Sequence, residues 1–445
     1  MKKGNAIALL PIGVFLVLYL GLGLVMEYRM KIPMGFYKIP IVVAFLAALL
    51  TACLQNRAVC FDEKLRLMGL GIGDKNIVTM ILIFLVAGIF VGVVGRSSAE
   101  SVAYLMLSII PVDFAVGVLF IVSCLVSLAM GTSVGTITLI TPIAAAVSAA
   151  TGFSLPLCVA SVMGGAMFGD NLSFISDTTI AACNGQGCQM KDKFRENFAI
   201  ALPAALLSLG VIFFLSMGHQ AEKLVIPEYH LLQLLPYILV LAGGIIGINV
   251  FVILLIGIVS GGIIMLTVGG MNFIDLIGNM GSGAAGMFET AMVAILVSAI
   301  CALIREYGGF DALLNGIRRI FKGKKAGQLG MGLLVGAMDI ATANNTVAIV
   351  MANPIAKEIA GDYGISARKT ASLLDTFSCV FQGILPYGAQ MLVAISAASE
   401  LGMSVSAFDI IPYLVYPYLL LISSLLFIFV FPERKKGKGA EEIRN

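Results

Sequence analysis

The chain has 445 residues, of which 59% are hydrophobic and only 12% are charged, and its formal net charge is +3. Its mean hydropathy is +1.02, and soluble domains carry roughly twice this charged fraction. The composition excludes a soluble protein and predicts an all-α polytopic membrane protein, because most of the chain consists of apolar runs of about 20 residues. The basic residues cluster in loops, which is a topology signal and argues against a nucleic-acid surface.

The apolar runs predict about ten spans in chain order. The N-terminal run begins with two lysines but lacks a small-residue cleavage site, so we interpret it as a first span and not as a signal peptide. Segment 305–325 has the pattern of an interfacial amphipathic helix, and segment 432–445 that of a cytoplasmic tail. The eight cysteines are scattered, which predicts neither a disulfide framework nor a metal framework. The predicted spans are 6–26, 36–54, 77–95, 155–180, 196–217, 231–248, 249–269, 289–304, 370–391 and 409–431.

Two further segments, 113–150 and 326–361, must begin and end on the same side of the membrane. Each is too short for two full crossings and has a polar centre, "GTSVGT" in the first and "TANNT" in the second. Irregular backbone is tolerated at membrane depth only where it is buried in protein or lines a wet cavity. We therefore predict two re-entrant helical hairpins, with broken helices beside them, whose tips lie deep in the protein.

The two hairpins belong to an internal repeat. A shift of 212 residues aligns "TPIAAAVSAATGFS" (141–154) with "NPIAKEIAGDYGIS" (353–366), so that Pro142 meets Pro354. This repeat divides the chain into five parts: N-terminal helices (1–70), repeat 1 (71–195), connecting helices (196–285), repeat 2 (286–395), and a final helix with the tail (396–445).

The distribution of positive charge predicts that the two repeats have opposite orientations. Segment 96–112 of repeat 1 holds one basic residue, whereas the corresponding segment 305–325 of repeat 2 holds six. Farther on the pattern reverses, because Lys191, Lys193 and Arg195 follow the polar stretch of repeat 1. Short cytoplasmic loops collect Lys and Arg, so both termini are predicted to be cytoplasmic. Inverted repeats are characteristic of secondary transporters, which bind substrate where the repeats meet.

The polar stretch "GGAMFGDNLSFISDTTIA" (164–181) is the first candidate site. Placing an aspartate at the centre of a membrane helix costs about 2.5–3.5 kcal/mol on insertion scales. Two aspartates in one span therefore argue for a function. We expect Gly169 to weaken the helix just before Asp170. If the helix resumes, Asp177 lies two turns further on nearly the same face, and its alternative role is a cap at a cytoplasmic helix end. The candidates are Asp170, Asn171, Ser173, Ser176, Asp177 and Thr178.

The hairpin tips and the second polar span supply the remaining candidates. Small hydroxyls and carbonyls suit hard cations, although Ser and Thr also bond helix carbonyls one turn back. In repeat 2, Gln382 takes the position of Asp170, so the two half-sites are chemically unequal. These candidates are Thr132, Ser133, Asn344, Asn345, Thr346, Asp375 and Gln382, with Asp339 one turn before the second tip. The predicted ligands of a transported sodium ion are Asp170, Ser133 and Asn345.

The spans that carry these acids contain no Lys, Arg or His. A buried unpaired carboxylate can hold either a proton or a sodium ion, and alternation between the two gives cation/proton exchange. A substrate whose ammonium meets the carboxylate, such as an amino acid, stays open at this point, and so does a channel. No enzyme motif competes, so the prediction is a transporter and not an enzyme, without a cofactor.

Four motifs resemble those of the NhaC family of sodium/proton antiporters: "GTSVGT", "GDNLSFISDTT", "DIATANNTVAIV" and "LLDTFSCVFQGILPYGAQ". The resemblance runs from about residue 70 to residue 395. It implies sodium/proton exchange in a prokaryotic inner membrane and assembly as a homodimer. It also implies cation-site roles for Asp170, Asn171, Ser173, Ser176 and Asp177, with Thr132, Ser133, Asn344 and Asn345 nearby.

The chain departs from the family pattern at Phe174, where similar motifs commonly have proline. We expect this change to leave the helix break less rigid and the pocket larger or more apolar. The resemblance also covers relatives that carry amino acids or small carboxylates. A sodium- or proton-coupled transporter of an amino acid or small organic acid is therefore the alternative function.

Overall fold

A computed structural model describes residues 4–31, 39–174, 176–217, 230–246 and 248–430. These residues form helices and connecting turns without a β-strand. Eight helices of the described part are long and apolar enough to span a membrane, and the bent pair Ala407–Tyr413 and Val415–Phe429 makes a ninth. Shorter apolar helices, among them Ala6–Gly21, Ile41–Leu54 and Leu231–Gly243, account for the rest of the predicted spans. Two of the eight, Val112–Met130 and Ser133–Thr151, cover segment 113–150, so the expectation that this segment is too short for two crossings is wrong by length and composition. The predicted all-α polytopic fold is confirmed.

The described residues of the first half of the chain form ten α-helices. Residues 6–29 form one helix that is interrupted by π-helical stretches at Val17–Gly21 and Val25–Arg29. The helices are α1 (Leu10–Leu16), α2 (Leu22–Leu24), α3 (Ile41–Leu54), α4 (Phe61–Ile72), α5 (Lys75–Ile109), α6 (Ala115–Met130), α7 (Ser133–Thr151), α8 (Leu155–Leu172), α9 (Asp177–Gln186) and α10 (Met190–Ser216).

The second half contains eleven more in its described residues. They are α11 (Leu235–Ile246), α12 (Val250–Thr267), α13 (Phe273–Gly286), α14 (Phe288–Glu306), α15 (Gly309–Ile320), α16 (Lys324–Thr342), α17 (Asn345–Tyr363), α18 (Ala367–Ile384), α19 (Ala389–Ser399), α20 (Ala407–Ile410) and α21 (Val415–Phe429).

The helices α6–α7 and α16–α17 form two hairpins, hereafter hairpin 1 and hairpin 2. In hairpin 1, Gly131 takes the left-handed conformation at φ 70°, and Thr132 caps α7. In hairpin 2, Ala343 takes the same conformation at φ 48°, and Asn344 caps α17. Glycine adopts this conformation without a steric cost, whereas alanine does not, so the tip of hairpin 2 stores some backbone strain.

The helix bounds of the two hairpin units correspond along the chain. Helices α7 and α17 begin at Ser133 and Asn345, and α8 and α18 end at Leu172 and Ile384. Both pairs have the 212-residue offset that aligns the sequence motifs. Each hairpin also packs against the other unit. Helix α7 of the first unit packs on α19 of the second, and α17 of the second packs on α9 of the first. This packing brings both hairpin tips toward the breaks that follow α8 and α18.

Individual segments differ from the sequence predictions at one helix end and by one additional helix. Segment 96–112 was expected to follow a span that ends near residue 95, but α5 continues without interruption to Ile109. Helix α13 was not predicted, because its glycines and polar residues made residues 273–286 resemble a connection. The amphipathic segment 305–325 does contain a helix, α15. The tail 432–445 lies outside the described residues, and the cytoplasmic location of the termini stays a prediction.

Candidate functional site

The first polar span is broken after Leu172, not at Gly169 as expected. The backbone is extended at Ser173 (φ −66°, ψ 139°) and at Ser176 (φ −64°, ψ 136°), and α9 then begins. Asp170 and Asn171 therefore belong to the last turn of α8. Gly169 serves packing instead, because a Cβ atom there would lie 2.5 Å from the carbonyl oxygen of Cys124 on α6. The glycine lets α8 lie directly against hairpin 1.

Asp170 joins the broken span to the tip of hairpin 1. The hydroxyl of Ser133 donates to Oδ2 at 2.7 Å, and the hydroxyl of Ser176 donates to Oδ1 at 2.5 Å. Gln390 of α19 in turn donates to the Ser133 oxygen at 3.0 Å. The Asp170 side chain is buried, and within the described residues no basic side chain forms an ion pair with it. Each carboxylate oxygen is thus held by a neutral hydroxyl.

A cavity of about 80 Å³ lies beside Asp170. Its wall includes both hairpin tips, the broken span and one face of α5, so it is the place where the two units meet. Its described lining residues include two carboxylates and no Lys, Arg or His, which makes the cavity attractive to cations. The lining residues are Thr79, Met80, Ile83, Gly131, Thr132, Ser133, Val134, Asp170, Ser176, Asp177, Thr178, Asn344, Asn345 and Thr346.

Nine of the thirteen predicted site residues share this cavity, and three of them also have local structural roles. Thr132 accepts a hydrogen bond from the Gly135 amide at 3.4 Å as the N-cap of α7. Asn344 accepts from the Val347 amide at 2.9 Å as the N-cap of α17. Asn345 Oδ1 accepts from the amide of the next residue at 3.0 Å. Such caps stabilise the hairpin tips.

Asp177 lines the same cavity but does not continue the helical face of Asp170. The extended segment between α8 and α9 separates the two residues, so the expected spacing of two helical turns is wrong. Asp177 is the first residue of α9 and is solvent-exposed. A carboxylate in the first turn is favoured by the helix dipole. The N-cap of α9 is Ser176, so Asp177 does not take the alternative role of a helix cap, and it places a second negative charge at the cavity.

Four predicted residues lie outside the cavity lining. Ser173 is buried at the C-cap of α8. Asn171 accepts a hydrogen bond from Asn197 Nδ2 at 2.9 Å. Gln382 donates from Nε2 to the carbonyl oxygen of Ala343 at 2.9 Å, which fixes α18 against the tip of hairpin 2. Asp375, the fourth, belongs to a separate charged cluster.

This cluster is centred on Lys193 of α10, and it corrects the expectation that no basic residue meets the buried acids. Lys193 forms an ion pair with Asp375, and both side chains are nearly inaccessible to solvent. Its ammonium also donates to the carbonyl oxygen of Asn171 at 2.8 Å and to Thr179 at 2.7 Å. Asn197 donates to Asp375 at 3.0 Å. The ammonium thus contacts residues on both sides of the break and ties them to α18.

Sequence reasoning missed Lys193 and Asn197 because the cluster of basic residues at 191–195 resembled a cytoplasmic loop. Their spacing of four residues places them on one face of α10. The same face of α10 carries Ile200 and Ala201, which are buried. This apolar continuation of the face was the signal that Lys193 and Asn197 are buried too.

Phe174 points away from the cavity. Its ring is partly exposed and stacks on Phe194 with 4.6 Å between ring centroids. It is absent from the cavity lining, so its ring contributes no apolar wall to this cavity. The corresponding position in the second unit is Pro386, which lies in the break between α18 and α19. One break therefore contains a proline and the other a stacked aromatic ring.

Comparison with known proteins identifies the family. A model of the Na+/H+ antiporter family matches residues 39–219 and 219–431, and each segment contains one hairpin. The Na(+)/H(+) antiporter NhaC of Bacillus subtilis (strain 168) is 24% identical over 396 residues, which are 80% of this chain and 85% of NhaC. An uncharacterized protein of Haemophilus influenzae is 37% identical over 105 residues, which are 23% of this chain and 20% of that protein.

Among solved structures, the YdaH transporter of Alcanivorax borkumensis, described as having an unusual topology, aligns with a TM-score of 0.43 and 14% identity. The alignment covers 95% of this chain and 98% of YdaH. The family match covers nearly the whole described chain, and the resemblance to NhaC expected from the motifs is confirmed. The chain therefore belongs to the Na+/H+ antiporter family and is a multi-pass membrane transporter.

Proposed function

We propose that the protein exchanges sodium for protons and that Asp170 carries both ions in turn. The supporting observation is the position of this carboxylate, which is buried, lacks a basic partner among the described residues and lies at the cavity between both hairpin tips. A carboxylate in this setting is costly to leave charged and alone. It is neutralised either by a proton or by a bound cation, and the two exclude each other.

The hydroxyls around Asp170 suit this alternation. Ser133 and Ser176 donate to the carboxylate in the present arrangement. A hydroxyl can also accept a hydrogen bond or coordinate a cation with its oxygen, so the same groups can serve the protonated and the sodium-bound forms. We propose Asp170, Ser133 and Asn345 as sodium ligands, with Asp177 drawing cations into the cavity.

The cavity favours a small cation over the alternative organic substrate. Sites for organic ligands commonly enclose a volume of about 300–1,000 Å³, whereas the volume of this cavity is about 80 Å³. An organic acid also needs a cationic partner, and the described lining residues include no Lys, Arg or His. Residence in a bacterial plasma membrane and assembly as a homodimer are further proposals, supported by the family resemblance alone.

Proteoliposomes loaded with a pH-sensitive dye test the proposed exchange. An imposed sodium gradient should move protons in the opposite direction, and Asp170→Asn should abolish this movement. Asp113→Asn, which changes an exposed acid outside the cavity, is the matched control and should retain it. If sodium moves no protons in the wild type while a labelled amino acid or small carboxylate accumulates, the proposal is wrong.

A further inference from the structure

A second buried acid, Asp339, lies on hairpin 2 and takes no part in the proposed exchange at Asp170. Its side chain is fully buried, and its Oδ1 accepts a hydrogen bond from Ser378 of α18 at 3.2 Å. Its Oδ2 has no hydrogen-bond partner within the part of the chain that the structure describes. Among the described residues, no Lys, Arg or His pairs with this carboxylate. An ionised carboxylate in such surroundings would be strongly unfavourable.

The contact between α16 and α18, hereafter the seam of hairpin 2, contains a second buried oxygen without a hydrogen-bond donor among the described residues. Ser378 and Gln382 lie one turn apart on α18. They contact Asp339 near the end of α16 and Ala343, the C-cap of α16. Gln382 uses its amide nitrogen for Ala343, and its Oε1 is left buried without a donor. Among the described residues, the seam thus contains two buried acceptors without a donor, Asp339 Oδ2 and Gln382 Oε1. A proton on Asp339 would remove the charge from the first of them.

The other titratable groups near this seam do not supply a counter-charge. Cys379 follows Ser378 on α18, Tyr387 donates to the carbonyl oxygen of Ile340, and the thiol of Cys301 on α14 donates to that of Ala341. All three are neutral in their ordinary forms. Asp375 lies one turn before Ser378, but it is an acid and forms an ion pair with Lys193.

In the corresponding contact between α6 of hairpin 1 and α8, Ser127 takes the position of Asp339, and the acid is Asp170 at the position of Gln382. There Ser127 of α6 donates to the carbonyl oxygen of Ala166 on α8 at 2.6 Å. The 212-residue offset aligns Ser127 with Asp339 and Ala166 with Ser378. Judged on its described residues, each unit therefore has one buried acid without a basic partner, Asp170 on the broken span of the first and Asp339 on the hairpin of the second.

We propose that Asp339 holds a proton in this conformation and is a second proton-carrying group, which exchanges its proton when hairpin 2 moves. The tip of hairpin 2 lines the cavity beside Asp170, so movement of this hairpin affects both acids. The inference rests on the proposed function, since it adds a proton to that exchange. Its first part, the protonated state of Asp339, is independent of transport.

Infrared spectroscopy of the purified protein at neutral pH tests the protonated state. The spectrum of the wild type should contain a carbonyl stretching band of a protonated carboxyl group that Asp339→Asn removes and Asp170→Asn leaves in place. Ser378→Ala should shift this band, because it removes the hydrogen bond to Oδ1. A wild-type spectrum without a band assignable to Asp339 would overturn the inference even if sodium/proton exchange is observed.

Reversal-potential measurements in proteoliposomes test the carrier role. The number of protons exchanged per sodium ion should be lower by one in Asp339→Asn than in the wild type, while sodium transport persists. Asparagine is close in shape to a protonated aspartate, so the variant should fold. An unchanged ratio would show that the Asp339 proton is fixed and would overturn the carrier role. If the wild type exchanges no sodium for protons, the proposed function fails, whereas the infrared result still stands.

Discussion

The buried ion pair between Lys193 and Asp375 gives the most quantitative prediction. In Lys193→Met, the methionine fills much of the same space but removes the ammonium from Asp375, from the Asn171 carbonyl oxygen and from Thr179. The Asp375 charge is left buried with Asn197 as its remaining partner. Removal of one member of a buried pair costs about 3–5 kcal/mol, because the other charge is left uncompensated.

The size of this effect can be converted into a melting temperature. An unfolding entropy of about 2.1 cal/mol/K per residue gives about 0.9 kcal/mol/K for a chain of 445 residues that unfolds as one unit. A loss of ~4 kcal/mol then lowers the apparent Tm by about 4 °C. Because total stability is only about 5–15 kcal/mol, the yield of folded protein should fall as well.

The assay is thermal unfolding of the detergent-purified protein, scanned at one fixed rate because unfolding of such proteins is often irreversible. Lys191→Met is the matched control, since Lys191 is solvent-exposed two residues earlier on α10, and its Tm should stay close to that of the wild type. The double variant Lys193→Met/Asp375→Asn removes both charges and should recover most of the loss. An equal Tm for the two single variants, or no recovery in the double variant, would refute the reasoning.

Three more substitutions test other parts of the structure. Gly169→Ala places a Cβ atom 2.5 Å from the backbone of α6 and should lower the free energy of unfolding by about 1–3 kcal/mol. The control Gly210→Ala has open space around the new Cβ atom and should not lower it. A Gly169→Ala variant as stable as the wild type would contradict the close packing. Ser133→Ala removes a donor to Asp170 and should weaken sodium affinity about tenfold or more, while Thr138→Ala, whose hydroxyl only bonds its own helix, should not change it in the same sodium titration. Phe174→Ala should leave sodium affinity and selectivity unchanged, because its ring stacks on Phe194 outside the cavity; altered selectivity in transport assays would contradict this placement.

The sequence predicted the fold well where polar residues interrupt apolar runs. The polar centres at "GTSVGT" and "TANNT" predicted both hairpins, and the observed turns fall inside them, at Gly131 and Ala343. Such residues are costly in hydrocarbon and have few acceptable locations. Helix α13 was missed for the opposite reason, because glycine is frequent both in connections and in closely packed membrane helices.

The candidate site was predicted in part. Nine of the predicted residues line one cavity, because motif residues near the hairpin tips and the break converge where the two units meet. The break was predicted at the wrong residue, since Gly169 indicates equally a weak helix and a close helix contact. The Lys193–Asp375 pair joins residues 182 positions apart, and composition within one span cannot reveal such a partner.

The central claim, that one carboxylate alternates between a proton and sodium, is tested most directly by sodium-binding calorimetry. The heat of binding measured in buffers of different ionisation enthalpy gives the number of protons released for each sodium ion bound. We predict proton release on sodium binding by the wild type and by Asp113→Asn, and loss of both sodium binding and proton release in Asp170→Asn. Sodium binding with undiminished proton release in Asp170→Asn would contradict the assignment of Asp170 as the shared carrier.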